Sequence, residues 1–481
     1  MRPSQFRQLT GLLLLLYSGS LVPVLAVSAL DVHPRPLPWL GIALGAASVG
    51  ALLWWPERHG SYRLRARDGF IVVTLFWLML SLLSALPLGL LLHVGPADAV
   101  FEAVSGFTTT GATVLANLDH TPPSLLYYRH QLQWLGGIGM IVSAIAILPM
   151  IGVGGMQLLR AESTGPMKDD KLTPRIGKTA QHLWSLYAGF TAACAFAYLL
   201  AGMTPFDAVC HAMSTISTGG FSTHDASLAH FDSVAVELIA ITFMLLGSVP
   251  FTLHFMALRQ RSVYAYRGHS EVLTFSVVVV ASIALVALLL RGQDPYLVGA
   301  DVLLASAFAV VTVITSTGFM VEDWTAWPGV LPTFLMYLGC IGGCAGSTAG
   351  GIKVIRFVIL ARNGGRQVSR LVHPHLVRPL KLDGRVLPDK VTDAVWGFFA
   401  LYVLLFTILM LLAMIGGLDQ VSAFGAVATT LNNLGPGLGE TALSFATVPG
   451  WLKCVFSLAM LLGRLEFFTL MVLFHPAFWR N

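Results

Sequence analysis

Charge is what this chain has least of. Asp, Glu, Lys and Arg make up 11% of its 481 residues, against 56% hydrophobic residues. Soluble domains carry about 25% charged residues, so a water-soluble fold is excluded and a polytopic membrane protein is indicated. Cysteine is scarce as well. Cys194, Cys210, Cys340, Cys344 and Cys454 are scattered, odd in number and without clustered histidines, which indicates neither a disulfide framework nor a metal centre. Also missing is a phosphate-binding fingerprint: Lys353 follows a glycine-rich stretch but lacks the spacing and the following hydroxyl that a nucleotide loop needs. Nothing in the composition calls for nucleic acid.

Glycine, by contrast, is abundant at 47 residues, more than helices in water tolerate but in keeping with the close packing of membrane helices. The net charge of +5 matters less than its placement. With the apolar segments taken as spans, most Lys and Arg fall on one side, which the positive-inside rule makes cytoplasmic. Most acids fall on the other, among them Asp98, Asp119, Asp207, Asp225, Asp232, Asp301, Glu322, Asp323, Asp419 and Glu440. Together they would raise the local concentration of cations, although each alone reads as a solvated loop residue.

That acidic side carries a motif that returns four times. S-G-F-T-T-T-G-A-T from Ser105 recurs as S-T-I-S-T-G-G-F-S from Ser214, V-I-T-S-T-G-F from Val313 and T-L-N-N-L-G-P-G from Thr430. Aligned on a central glycine, the copies give Thr109-Thr110-Gly111, Ser217-Thr218-Gly219, Ser316-Thr317-Gly318 and Asn433-Leu434-Gly435, about 100 to 117 residues apart. One T/S-x-G is ordinary turn chemistry. Four, all uncharged and rich in carbonyl and hydroxyl oxygens, are what is needed to replace the water shell of a bare monovalent cation.

In chain order, apolar runs at 10–30 and 37–55 form a hairpin, the first read as a retained helix rather than a cleaved signal. Four units follow, each a span, a half-helix too short to cross a bilayer, a glycine turn and a second span. The second spans are expected at 127–151, 234–257, 330–361 and 451–474, for ten spans in all. The expected boundaries are 1–60 for the hairpin and 61–159, 160–262, 263–375 and 376–481 for the units. Irregular backbone at membrane depth is tolerated where it lines a watery path or is buried in protein. Basic stretches at 160–181 and 362–390 read as solvated loops, the latter also as a surface for anionic membrane lipid or a cytosolic partner.

Two features inside the spans stand out. Gly339–Gly351 holds six glycines in thirteen residues, followed by Lys353 and Arg356. Gly342, Gly346 and Gly350 could form a packing ladder. So many glycines beside Ser347 and Thr348 make a poor helix, however, and favour an unwound, mobile segment: a gate of Gly342, Gly343, Gly346, Ser347, Thr348, Gly350 and Gly351. Arg464 and Glu466 lie in the last span, where a charge costs about 2.5–3.5 kcal/mol. Arg464 is expected to face the pathway or the glycine-rich segment, or else to form a buried structural pair. An enzyme reading would rest on His211 with Ser214, one helical turn apart, a pair that is far more often structural.

The repeats, with H-Q-L-Q-W-L-G-G-I-G-M at 130–140, G-C-A-G-S-T-A-G-G-I-K-V-I-R at 343–356 and L-L-G-R-L-E at 461–466, resemble the Trk/Ktr/HKT potassium transporter superfamily over essentially the whole chain. The bacterial Trk membrane subunit is the nearest type. The resemblance implies an all-α polytopic membrane protein with four pseudo-repeated M1-pore helix-M2 units around one pore, plus the N-terminal hairpin. It further implies a filter built from the four aligned turns, a glycine-rich gate, an arginine near the pore at 464, and a homodimer with two pores. The expected partner is a cytosolic nucleotide- and NAD-binding regulatory subunit of the TrkA type. No bound cofactor is implied, potassium being the transported ion. The expected place is the cell inner membrane, filter mouths outward. Glycine in all four copies favours potassium; a proton- or sodium-coupled symporter is the alternative, since broken helices suit such a site too.

Overall fold

A computed structural model describes residues 3–31, 33–58, 66–151, 172–293, 299–376 and 379–465, with Leu473 and Pro476. The expected basic linker up to Lys171 and Glu466 lie outside these residues. Among the described residues the regular structure is helical apart from a two-stranded hairpin, β1 (Lys381–Leu382) with β2 (Arg385–Val386). An N-terminal pair is formed by α1 (Pro3–Ser20), continued by α2 (Val22–Leu30), and α3 (Pro36–Trp54). Gly11 and Gly50 let α1 and α3 touch backbone to backbone: a Cβ on Gly11 would lie 2.7 Å from the Gly50 carbonyl oxygen.

The first unit is α4 (Ala66–Leu92), the short α5 (Pro96–Phe107) and α6 (Pro123–Ile151). The second is α7 (Leu172–Leu200), α8 (Pro205–Ile216), α9 (Val234–Ser248) and α10 (Phe251–Gln260). The third is α11 (Ser270–Gln293), α12 (Gly299–Ile314), α13 (Leu331–Ile341) and α14 (Val354–Val372). The fourth is α15 (Asp389–Ile415), α16 (Gln420–Asn432) and α17 (Gly450–Leu465).

The short helices start where the sequence forces them to. Proline occupies the first turn of α5 and α8, where its missing N–H is not needed. Thr204 accepts from the Asp207 N–H as the cap of α8, and Asp419 accepts from Val421 and Ser422 as the cap of α16. At 12 to 16 residues these helices reach about 18–24 Å, short of a 30 Å hydrocarbon core. The first helices of the units present leucine and valine to lipid, as at Leu82, Leu86 and Leu90 or Val277, Val280 and Leu288.

By length and composition, six described helices can cross a membrane, or seven if one bent pair counts as a span. The difference from ten expected spans lies largely in the second helices of the units. The continuous span expected at 234–257 is broken: Pro250 has no N–H, and α10 turns 96° away from α9. The expected span at 330–361 is interrupted at 342–353, where Gly342, Gly346, Gly351 and Lys353 all have positive φ. The packing ladder therefore does not form, because its glycines are not helical.

Candidate functional site

The four turns share one backbone bond and one sequence of backbone angles. At the end of each short helix an N–H reaches back five residues: Thr110 to Ser105, Gly219 to Ser214, Thr317 to Thr312 and Leu434 to Thr429, at 2.8–3.0 Å. The preceding residue is left-handed in each, at Thr109, Thr218, Ser316 and Asn433, and the following glycine has φ between +77° and +104°, at Gly111, Gly220, Gly318 and Gly435. This corrects the alignment of the second turn by one residue. The counterpart of Gly111 is Gly220, and Ser217-Thr218-Gly219 corresponds to Thr108-Thr109-Thr110. S-T-G-G offers two glycines, and only the backbone angles say which one takes the strained place.

The turns close on one another in sequence. A Cβ on Gly111 would lie 2.2 Å from the carbonyl oxygen of Gly219, one on Gly220 1.8 Å from that of Thr317, one on Gly318 2.5 Å from that of Leu434, and one on Gly435 3.1 Å from that of Thr110. Each glycine thus abuts the carbonyl that precedes the glycine of the next unit, and the fourth abuts the first. Gly111, Gly220 and Gly318 are partly accessible among buried neighbours. The ring is made of backbone, while several side chains expected to supply oxygens are engaged elsewhere. Thr218 Oγ1 donates to the Ser217 carbonyl at 2.7 Å, Ser316 Oγ to the Thr315 carbonyl at 2.7 Å, and Asn433 Nδ2 to Thr110 Oγ1 at 2.9 Å and the Met460 carbonyl at 3.0 Å. Leu434, the one turn residue here without a polar side chain or a glycine's freedom, offers only its carbonyl, its side chain packing on Gly339.

Outside the ring, the H-Q-L-Q-W-L-G-G stretch of α6 acts as a brace. Gln133 Nε2 donates to the Gly219 carbonyl at 2.6 Å while its Oε1 accepts from the Phe221 N–H at 3.1 Å. His130 Nε2 meets the Phe221 carbonyl at 3.1 Å, and Gly136 sits against the Phe107 carbonyl. Glu102, 1% exposed, accepts from Arg129, Thr113 and the Val114 N–H at 2.8–3.0 Å. At the matching place in the second unit His211 meets Ser222 at 3.0 Å, not Ser214. The pair imagined for an enzyme is thus not formed, and His211 ties its own turn together. Lys453 of α17 donates to Asp98 of α5 at 2.6 Å, joining the fourth unit to the first. These pairs are distant in sequence and were not foreseen.

Beneath the ring lies the segment 342–353. Its Cys344 and Thr348 N–H groups bond the carbonyls of Ser248 and Gly247, left free by the break after α9. Thr348 Oγ1 donates to the Ile216 or Gly247 carbonyl at 2.9 Å, the Gly350 N–H donates to Ser316 Oγ at 2.5 Å, and the Gly351 N–H to the Asn432 carbonyl at 2.9 Å. Three turns are therefore touched by one loop. Glu271 holds it from the far side, accepting from the Ala345 N–H at 2.7 Å. Arg464, 2% exposed, donates from Nη1 to the Thr348 carbonyl at 2.9 Å, while Nε and Nη2 have no hydrogen-bond partner among the described residues. The cavity here, lined by Gly350, Asn432, Asn433 and Arg464, measures about 20 Å³, room for roughly one water.

Broken helices, short half-helices and a closed ring of uncharged oxygens define a multi-pass helical membrane protein of the transporter class. The chain belongs to the TrkH family of cation transport proteins, matching it over residues 42–481. It is 47% identical to the Trk system potassium uptake protein TrkH of Halomonas elongata, with 98% of each chain covered, and 44% identical to that of Escherichia coli K12, covering 99% and 100%. The crystal structure of the potassium transporter TrkH from Vibrio parahaemolyticus superposes with a TM-score of 0.92 at 43% identity, with both chains fully covered. The family is one of transporters, not enzymes.

Proposed function

We propose that this chain is the membrane subunit of a potassium-uptake system of the inner membrane. Potassium sheds its water at the ring formed by Thr109-Thr110-Gly111, Thr218-Gly219-Gly220, Ser316-Thr317-Gly318 and Asn433-Leu434-Gly435, then passes a gate formed by 342–353. The observation that carries this reading is the cyclic contact of four glycines with four carbonyls, a neutral cage for a monovalent cation. The units run over 61–159, 160–262, 263–375 and 376–481, with the hairpin at 1–60. Two copies assemble as a homodimer, each with its own pore, under a cytosolic nucleotide-binding regulator of the TrkA type. The ring opens to the periplasm.

Gating is supported by Arg464, whose Nη1 holds the loop at Thr348 beneath the ring. Potassium and sodium flux into proteoliposomes tests both parts. Gly111→Ser is expected to lower potassium-over-sodium selectivity at least tenfold, and Arg464→Ala to raise basal flux several-fold with selectivity kept. Unchanged selectivity in the first variant sinks the ring, and unchanged flux in the second sinks the latch. A coupled symporter has one observation behind it, the buried Glu271 carboxylate against the loop. Reversal potentials that follow an imposed pH gradient would favour that reading over a passive pathway.

A further inference from the structure

Above the ring, the loops of the first two units meet at a cluster that conduction does not use. Asp119 lies in the single turn Leu118–His120, His230 lies in the turn Ser227–Phe231, and His224 lies three residues before that turn. His224 Nδ1 is 2.5 Å from Asp119 Oδ1, and the rings of His224 and His230 stack at 3.5 Å between centroids and 4° between planes. One ligand atom from each of the three residues lies within 4.8 Å of the other two. Two imidazoles and one carboxylate, with the fourth position open to water, suit a borderline cation such as zinc; potassium and magnesium prefer oxygen alone.

A second carboxylate stands where an outer partner would. Asp207 Oδ1 is 3.5 Å from His224 Nε2, which has no hydrogen-bond partner among the described residues. Asp207 is itself fixed by the hydroxyls of Thr204 and Thr223 at 2.6 and 2.7 Å. Without a metal, His224 Nδ1–H donates to Asp119; a metal displacing that proton would leave the imidazole protonated at Nε2, facing Asp207, with the Nδ1 lone pair on the metal, the carboxylate–histidine–metal order of built sites. Asp119 and His230 are exposed, so rotation of their side chains can bring the donors to tetrahedral spacing. We propose that Asp119, His224 and His230 form a site for a divalent transition-metal ion of the zinc type, linking the outer loops of the first two units.

The test uses the purified full-length chain in nanodiscs, its affinity tag removed. Zn2+ binding is measured by titration calorimetry, and the ligand field by the visible absorption of bound Co2+. One zinc per chain is expected, with a tetrahedral cobalt spectrum that Zn2+ abolishes. His230→Ala and Asp119→Asn should each weaken binding at least tenfold, and Asp207→Asn about tenfold as an outer partner. His120→Ala, an exposed neighbour outside the cluster, should leave it unchanged. Absence of stoichiometric zinc in the unmodified chain overturns the proposal, as does binding that survives His224→Gln with His230→Ala in a chain of unaltered thermal unfolding. None of these readouts depends on potassium flux.

Discussion

Where α5 carries Glu102 and α8 carries His211, the matching places on α12 and α16 carry Ala309 and Ala426. At this one place the first two turns are backed by buried polar side chains and the last two by apolar packing, while Thr312 and Thr429 tie the third and fourth turns through the Phe319 and Pro436 carbonyls. Glu102 with Arg129 and Gln133 with the second turn bind by direction, so they fix where a carbonyl points. Ala309 and Ala426 bind by volume, so they fix how near the helices come. The polar half is vulnerable to loss of a partner, because a buried group then stands alone. The apolar half is vulnerable to added bulk.

The sharpest way to break this comparison is at the second turn. Gly220→Ala places a methyl 1.8 Å from the Thr317 carbonyl oxygen at a φ of +77° and is expected to abolish potassium uptake. Gly219→Ala meets the Gln133 side chain instead, at a backbone angle open to alanine, and should retain uptake at a reduced rate. Growth of an uptake-deficient strain at low potassium reads both. Equal loss in the two variants would put the register back in question. Next in size is Glu102→Gln, which leaves Arg129 buried without its counter-charge and should cost about 3–5 kcal/mol in detergent unfolding. In the other half, Ala426→Leu should cost about 1–3 kcal/mol by overpacking. The smallest effects come from a matched pair. Ser105→Ala loses a hydrogen bond to the Ala112 carbonyl and should cost about 1 kcal/mol. Ser214→Ala removes a hydroxyl with no partner among the described residues and should be neutral in the same unfolding assay.

What could be read from the sequence was local. Prolines at the starts of the short helices, the glycine turns and the unwound stretch at 342–353 are written in neighbouring residues, and the architecture follows from their fourfold return. The register at Ser217–Gly220 could not be read, since two adjacent glycines satisfy the same pattern and only φ decides. Nor could the struts: Arg129 meets Glu102 across 27 residues and Lys453 meets Asp98 across 355. Asp98 reads as a solvated loop residue in sequence because a one-dimensional pattern carries no depth. The partner of His211 is hidden for a similar reason. Helical spacing pointed to Ser214, whereas the turn folds Ser222 back to it.

The seam between Cys344 or Thr348 and the cut end of α9 bears on what an open state must contain. Its two backbone hydrogen bonds take up the Ser248 and Gly247 carbonyls at the buried end of α9. If the loop withdraws, those oxygens need new donors at once, and the only mobile donor small enough to follow is water. On the gating proposed above, opening would therefore be a wetting transition: water would enter beneath the ring as the loop left, and its expulsion would favour the loop's return.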